Sequence, residues 1–268
     1  GRECLEMSLA QGDDLGAGWG AGALGLAAWA QGDYAAAAAN HERVVALSRR
    51  SGDRFHEVMA LAGLGRVAAD RGEFGRAESL LAESAAIARA IGLPQGEGFA
   101  VGTLATVAYR RERDDEAVAL ARRALQAYRA AGSQEGFGAA QRIIGLVALR
   151  RGDVEQAASV LAERLALYRR HGMRGPLASC LEDIAELAVA LARPVEATRL
   201  LAAAEALRRE HGMPMPPADR GQHQRRVAQL RTELAGEFTA AWTDGAAMTW
   251  ERAQRAAESL TTSGMAIS

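Results

Sequence analysis

Ala37, Ala77, Ala117, Ala157 and Ala197 stand forty residues apart every time, and so do Gly52, Gly92, Gly132, Gly172 and Gly212. A third column runs Leu24, Leu64, Leu104, Ile144 and Ile184, each followed directly by a small residue: Gly25, Gly65, Ala105, Gly145 and Ala185. A fixed period of this length marks a solenoid, because each unit is too small to bury its apolar face alone and must stack on its neighbours.

Within a unit the apolar spacing is helical. Leu61, Leu64 and Ala68, then Leu80, Ser84, Ile87 and Ile91, recur at three and four residues, as one helix face requires. Two helices therefore fit in each unit. Gly32, Gly72 and Gly152 suit the left-handed position that ends the first helix, and Asp33, Glu73 and Asp153 follow as N-terminal caps of the second. The second glycine column ends the second helix, with Asp53 or Ser133 placed to cap the next unit. First helices are predicted near 14–30, 54–70, 95–111, 134–150 and 175–191, and second helices near 34–51, 74–91, 114–131, 154–171 and 195–211. The third turn, RERDDEA, lacks the glycine, and the fifth, ARPVEA, uses Pro194. Small residues in the shared columns belong where two helices approach most closely.

This arrangement resembles the tetratricopeptide repeat (TPR), with a small residue in the first helix, a Gly-Asp-Tyr-like turn and an alanine five residues after the turn glycine. The resemblance covers residues 13–212 and departs in period, forty instead of the usual ~34. It implies an all-α fold, an α-solenoid of five TPR-like hairpins. Residues 1–12 read as the end of a preceding second helix, so the chain is expected to begin inside a repeat, as an excerpt of a longer polypeptide. Beyond Gly212, residues 213–260 are expected to form capping helices. Val227, Leu230 and Leu234 share an apolar face there, Thr249 is placed to cap the last helix, and residues 261–268 are expected to fray.

Composition narrows the chemistry. All 32 basic residues are arginine, so a Walker lysine, Schiff-base chemistry and a lysine base are excluded. The formal net charge of -1 gives no global case for binding nucleic acid or an anionic membrane. Cys4 and Cys180 have no neighbour at metal or redox spacing, which suits a reducing compartment and a cytoplasmic protein. The glycine run GAGWGAG at residues 16–22 follows no strand and falls where the lattice demands a helix, so it is not a dinucleotide loop. His41, His56, His171, His211 and His223 show no metal-ligand spacing, and Asp114, Asp115 and Glu116 begin a helix, where carboxylates favour the dipole. The chain is expected to be non-catalytic, with no cofactor and no metal.

The stretch from PVEATRLLAAAEALRREHGMPMPPADR through FTAAWTDGAAMTWERA also resembles the C-terminal sensor region of bacterial STAND ATPase, MalT- and LuxR-like transcriptional regulators. That resemblance implies a regulatory arm that receives a protein, peptide or small effector, with nucleotide and DNA binding elsewhere. The TPR resemblance further implies a concave groove lined by first helices, whose positions here are Trp19, Leu26, Trp29, Met59, Arg66, Asp70, Phe99, Thr106, Tyr109, Arg110, Arg142, Leu146, Arg150, Glu182 and Glu186. Trp29, Tyr109 and Arg110 are expected to bind the partner while mattering little for stability. A second column, Arg49, Arg89, Arg129, Arg169 and Arg209, closes the second helices and is expected to solvate the outer face.

Overall fold

The computed structural model describes residues 1–133, 136–172 and 174–266. After α1 (Arg2–Ala10), ten helices alternate as hairpin partners: α2 (Asp14–Ala30) with α3 (Tyr34–Ser51), α4 (Arg54–Arg71) with α5 (Phe74–Ala90), and α6 (Pro94–Arg110) with α7 (Asp114–Ala130). Next come α8 (Phe137–Arg150) with α9 (Val154–Arg170), and α10 (Arg174–Ala190) with α11 (Pro194–Glu210). The helices α12 (Pro217–Leu234), α13 (Phe238–Ala246) and α14 (Trp250–Met265) complete the chain. No described residue lies in a strand, and the fold is all-α, built from consecutive hairpins as the period requires. The start expected for the fourth first helix, at residue 134, lies outside the described residues. No described helix is long and apolar enough to cross a membrane.

The corners follow from backbone chemistry. Gly32, Gly72 and Gly152 sit at φ 76°, 82° and 78°, the left-handed region where a Cβ would be strained. The two corners without glycine adopt the same region through Glu112 (φ 60°) and Ala192 (φ 55°), at a cost of ~1 kcal/mol or more each. Asp13, Asp33, Asp53 and Asp153 accept the backbone N–H three residues on, each as an N-cap. Glu73 departs from its expected role. It occupies the cap position without a side-chain cap bond, and its longer carboxylate pairs with Arg71 (2.8 Å) and Arg76 (3.4 Å) instead. The helix after Ser133 is described from Phe137, and residues 134 and 135 between them lie outside the described residues.

The chain divides into two compact units. The N-terminal unit comprises Gly1–Ala140 with Pro216–Ala218, and the C-terminal unit Gln141–Met215 with Asp219–Ser268. Inside both, the small-residue column receives a larger side chain sixteen residues on. A Cβ on Gly25 would stand 3.0 Å from the His41 ring, one on Gly65 2.5 Å from Leu81, and one on Gly145 3.4 Å from Leu161. The glycines therefore set how closely the two helices of a hairpin pack.

In the C-terminal unit, Leu230 is buried in the core with Val227 and Leu234 packed against it. Helix α13 lies on α11, and α14 lies against α9, α10 and α11. Thr249 caps α14 by accepting from the Arg252 N–H at 3.3 Å. The expected frayed tail is corrected: α14 runs on through residues 261–265, and only 267 and 268 of that stretch lie outside the described residues. Thr261 and Thr262 donate back to the Glu258 carbonyl at 3.0 and 2.9 Å, which satisfies their hydroxyls within the helix. Gly264 approaches Ala158 so closely that a Cβ would stand 2.6 Å away. Arg169 holds Glu258 on the same helix at 2.5 Å.

The outer arginine column is exposed as expected, and it also clips successive helices together. Arg49 binds Glu57 (2.8 Å), eight residues on, and Glu83 (2.6 Å); Arg89 repeats the step to Glu97 at 2.9 Å. At the third copy Phe137 replaces the glutamate, and the Arg129 guanidinium lies 5.5 Å from its ring centroid.

Candidate functional site

Helix α2 carries Leu15, Trp19 and Leu26 at spacings of four and seven, which places all three on one helix face. They are 51%, 59% and 53% exposed, large apolar side chains left in water. Trp19 is anchored at one edge, where it meets the His56 ring at 4.6 Å, and His56 is itself held by Asp53 at 2.5 Å. Phe55, at the start of α4, is exposed as well.

Further along the same helices, one carboxylate joins three repeats. Asp70 Oδ2 accepts the indole N–H of Trp29 at 2.8 Å, and Oδ1 accepts both terminal nitrogens of Arg110 at 3.1 Å. Arg110 also donates to the Ala69 carbonyl at 3.0 Å. Both partners of this ion pair are only 9% exposed. Beside it, the half-buried Arg66 guanidinium lies 3.6 Å from the Trp29 ring centroid and 5.0 Å from that of Phe99. Its Nε finds no acceptor among the described residues. Burial lowers its pKa to about 10, against the opposing pull of Asp70.

Several expected groove positions are corrected by burial. Tyr109 is buried, Asp70 is buried and engaged, and Arg110 is locked into a structural ion pair, so none of them is a dispensable surface residue. Met59 and Thr106 are half-buried, with the Thr106 hydroxyl turned back to the Gly102 carbonyl at 3.3 Å.

In the C-terminal unit, Leu146 is core, and the charged positions are committed to other helices of the chain. Arg142 binds Asp183 at 2.9 Å, Glu182 takes a fork from Arg208 at 2.7 and 2.8 Å, and Glu186 pairs with Arg226 of α12 at 2.6 Å. Arg150 is exposed at the end of α8.

Sequence reading missed three features. Arg164 is fully buried and satisfied by Asp183, by the Ser179 hydroxyl (2.8 Å) and by the Tyr168 hydroxyl (3.2 Å). Cys180 lies in the same region as a free buried thiol, pushed up to about 11 chiefly by that burial; the side chain of Cys4 lies outside the described residues. His41 is buried with neither ring nitrogen partnered among the described residues, and burial and then Arg66 lower its pKa to about 4. A signal for the ion pairs was available: Asp70 and Arg110, and Glu186 and Arg226, are opposite charges one period apart.

The C-terminal unit also holds a cavity of about 430 Å³, lined by Met213, Pro214 and Met215 with Glu182, Arg208 and His223.

No curated protein matches the chain. A tetratricopeptide-repeat family model matches residues 16–90, the α2 to α5 hairpins that carry Trp19, Leu26, Arg66 and Asp70. With the same hairpin continued at a forty-residue period, the fold is an all-α array of tetratricopeptide type, and such repeats generally mediate protein–protein interaction.

Proposed function

We propose that this chain is a non-catalytic protein-binding module that receives a partner segment on the first-helix face of its N-terminal unit. The reading rests on one observation: Leu15, Trp19 and Leu26 present a continuous apolar face to water beside the Trp29–Arg66–Phe99 stack. An exposed row of this kind, rich in aromatic and arginine side chains, is the composition of binding hot spots. Peptides selected from a randomised display library on the whole chain are expected to lose at least about tenfold in affinity with Trp19→Ser or Leu26→Ser. Peptides indifferent to both changes, or no peptide selected, would overturn the reading.

The likeness of the C-terminal stretch to bacterial regulators supports a larger role, as the sensing arm of a cytoplasmic transcriptional regulator whose nucleotide- and DNA-binding parts lie elsewhere. The reading frame ahead of Gly1 tests this: a nucleotide-binding module supports it, and a start codon directly before Gly1 overturns it. With a net charge of -1, the chain itself is expected to give no sequence-dependent shift of duplex DNA at physiological salt.

A second reading, a small-effector pocket, is favoured by the methionine-lined cavity of about 430 Å³ in the C-terminal unit. Filling it with Met213→Trp would abolish effector binding while leaving peptide binding on α2 untouched.

A further inference from the structure

Around Asp70 two guanidinium groups meet one carboxylate. Both carboxylate oxygens are already taken, Oδ2 by the Trp29 indole and Oδ1 by Arg110. Arg66 therefore stands over the cluster as a cation without a hydrogen-bonded counter-charge among the described residues. No second carboxylate among the described residues pairs with it. His41, whose pKa is lowered to about 4 by burial and then by Arg66, is an uncharged imidazole at neutral pH, and the other neighbours that feel the guanidinium, Tyr34 and Tyr128, carry hydroxyls and no carboxylate. The rings of Trp29 and Phe99 hold the guanidinium in place, so little side-chain entropy is left to lose when an anion arrives.

The location relates this cation to the apolar face. Trp29, on which Arg66 stacks, lies three residues, about 4.5 Å, beyond Leu26 along α2. Resting on the proposed groove reading, we infer that the partner is an acidic amphipathic segment, which lays apolar side chains along Leu15, Trp19 and Leu26 and sets an aspartate or glutamate side chain on Arg66, one helical turn further on. A planar fork held between two rings suits a carboxylate, and the exchange relieves a desolvated charge.

The peptides selected on the wild-type chain provide the test, each compared by titration calorimetry with a twin in which acidic residues become glutamine or asparagine. The acidic forms are expected to bind at least about tenfold tighter, with Arg66→Gln closing that gap and Arg66→Lys restoring part of it. Trp19→Ser and Leu26→Ser should weaken both twins alike. Equal binding of the twins to wild type, a comparison that needs no variant to fold, overturns the inference while leaving the groove reading intact. So does a gap that survives Arg66→Gln in a chain with wild-type circular dichroism, or affinity lost instead on amidating the peptide's C-terminus. Failure to select any peptide, or indifference to Trp19 and Leu26, overturns the groove reading and this inference together.

Discussion

The same lattice positions do different work in the two units. In the N-terminal unit the first-helix face keeps Trp19 and Leu26 in water and leaves Arg66 without a hydrogen-bonded partner among the described residues. In the C-terminal unit the corresponding face spends its charges internally, Arg142 on Asp183, Glu182 on Arg208 and Glu186 on Arg226. The lesson is that a groove position in a repeat array is a place on a helix, and its availability depends on what the rest of the chain lays against it. In the C-terminal unit α11 and α12 supply the arginines that close the face, and in the N-terminal unit no described residue does so for Arg66.

The contrast is broken most forcefully in the C-terminal unit. Asp183→Ala leaves the buried Arg164 without its carboxylate and is expected to cost about 4 kcal/mol, read as a lower urea midpoint with faster hydrogen exchange confined to that unit. Pairing it with Arg164→Met should recover much of the loss, since an apolar pair needs no counter-charge. In the N-terminal unit, Arg110→Ala is expected to cost about 3 kcal/mol, because it removes the ion-pair partner of the buried Asp70. A cost below ~0.5 kcal/mol would make Arg110 a surface residue after all and erase the distinction drawn between it and Arg66.

His41 sharpens the comparison by acid titration. Its pKa falls from 6.5 to about 4 on folding, so between those values the unfolded chain binds a proton that the folded chain refuses. Stability is therefore full above pH 6.5 and declines as the pH falls towards 4, by up to about 3 kcal/mol. His41→Leu, the residue found at Leu81, Leu161 and Leu201, should flatten that part of the profile; an unchanged slope would place its origin elsewhere.

Smaller effects test the corners. Glu112→Gly in the N-terminal unit and Ala192→Gly in the C-terminal unit are each expected to stabilise by about 1 kcal/mol, since glycine removes the left-handed strain in both. Unequal gains would show that the two corners are not equivalent. Arg129→Ala, an exposed member of the outer column, should shift stability by no more than ~0.5 kcal/mol and leave peptide binding intact.

Most of the helical architecture was legible because two glycine columns and an alanine column report independently on the same period. Even the corners at Glu112 and Ala192 fell in register, although nothing in those residue types announces a positive φ. The site was legible only in part. Trp19 and Leu26 emerged exposed, whereas Tyr109, forty residues beyond Ala69 and eighty beyond Trp29, is buried. Helical periodicity assigns a face, but it does not say which neighbour covers that face. The Arg164–Asp183 pair was hidden for a related reason: its lattice equivalents include Val44, Ser84 and Ala124 at the arginine position and Gly63 and Ile143 at the aspartate position, so neither charge has a precedent at those positions of the other repeats.

The fit of His41 against glycine bears on how such an array can be rearranged. Gly25, its partner within the hairpin, travels with it in any duplication of that repeat. Gly63 belongs to the next repeat, and a Cβ there would stand 2.6 Å from the imidazole. The positions equivalent to Gly63 are Ala23, Thr103, Ile143 and Asp183, all of which carry a Cβ. The first repeat is thus keyed to the second at this one boundary. A chimera that moved it beside any other repeat would drive a side chain into the ring, whereas a block containing both repeats could be transplanted as a single cassette.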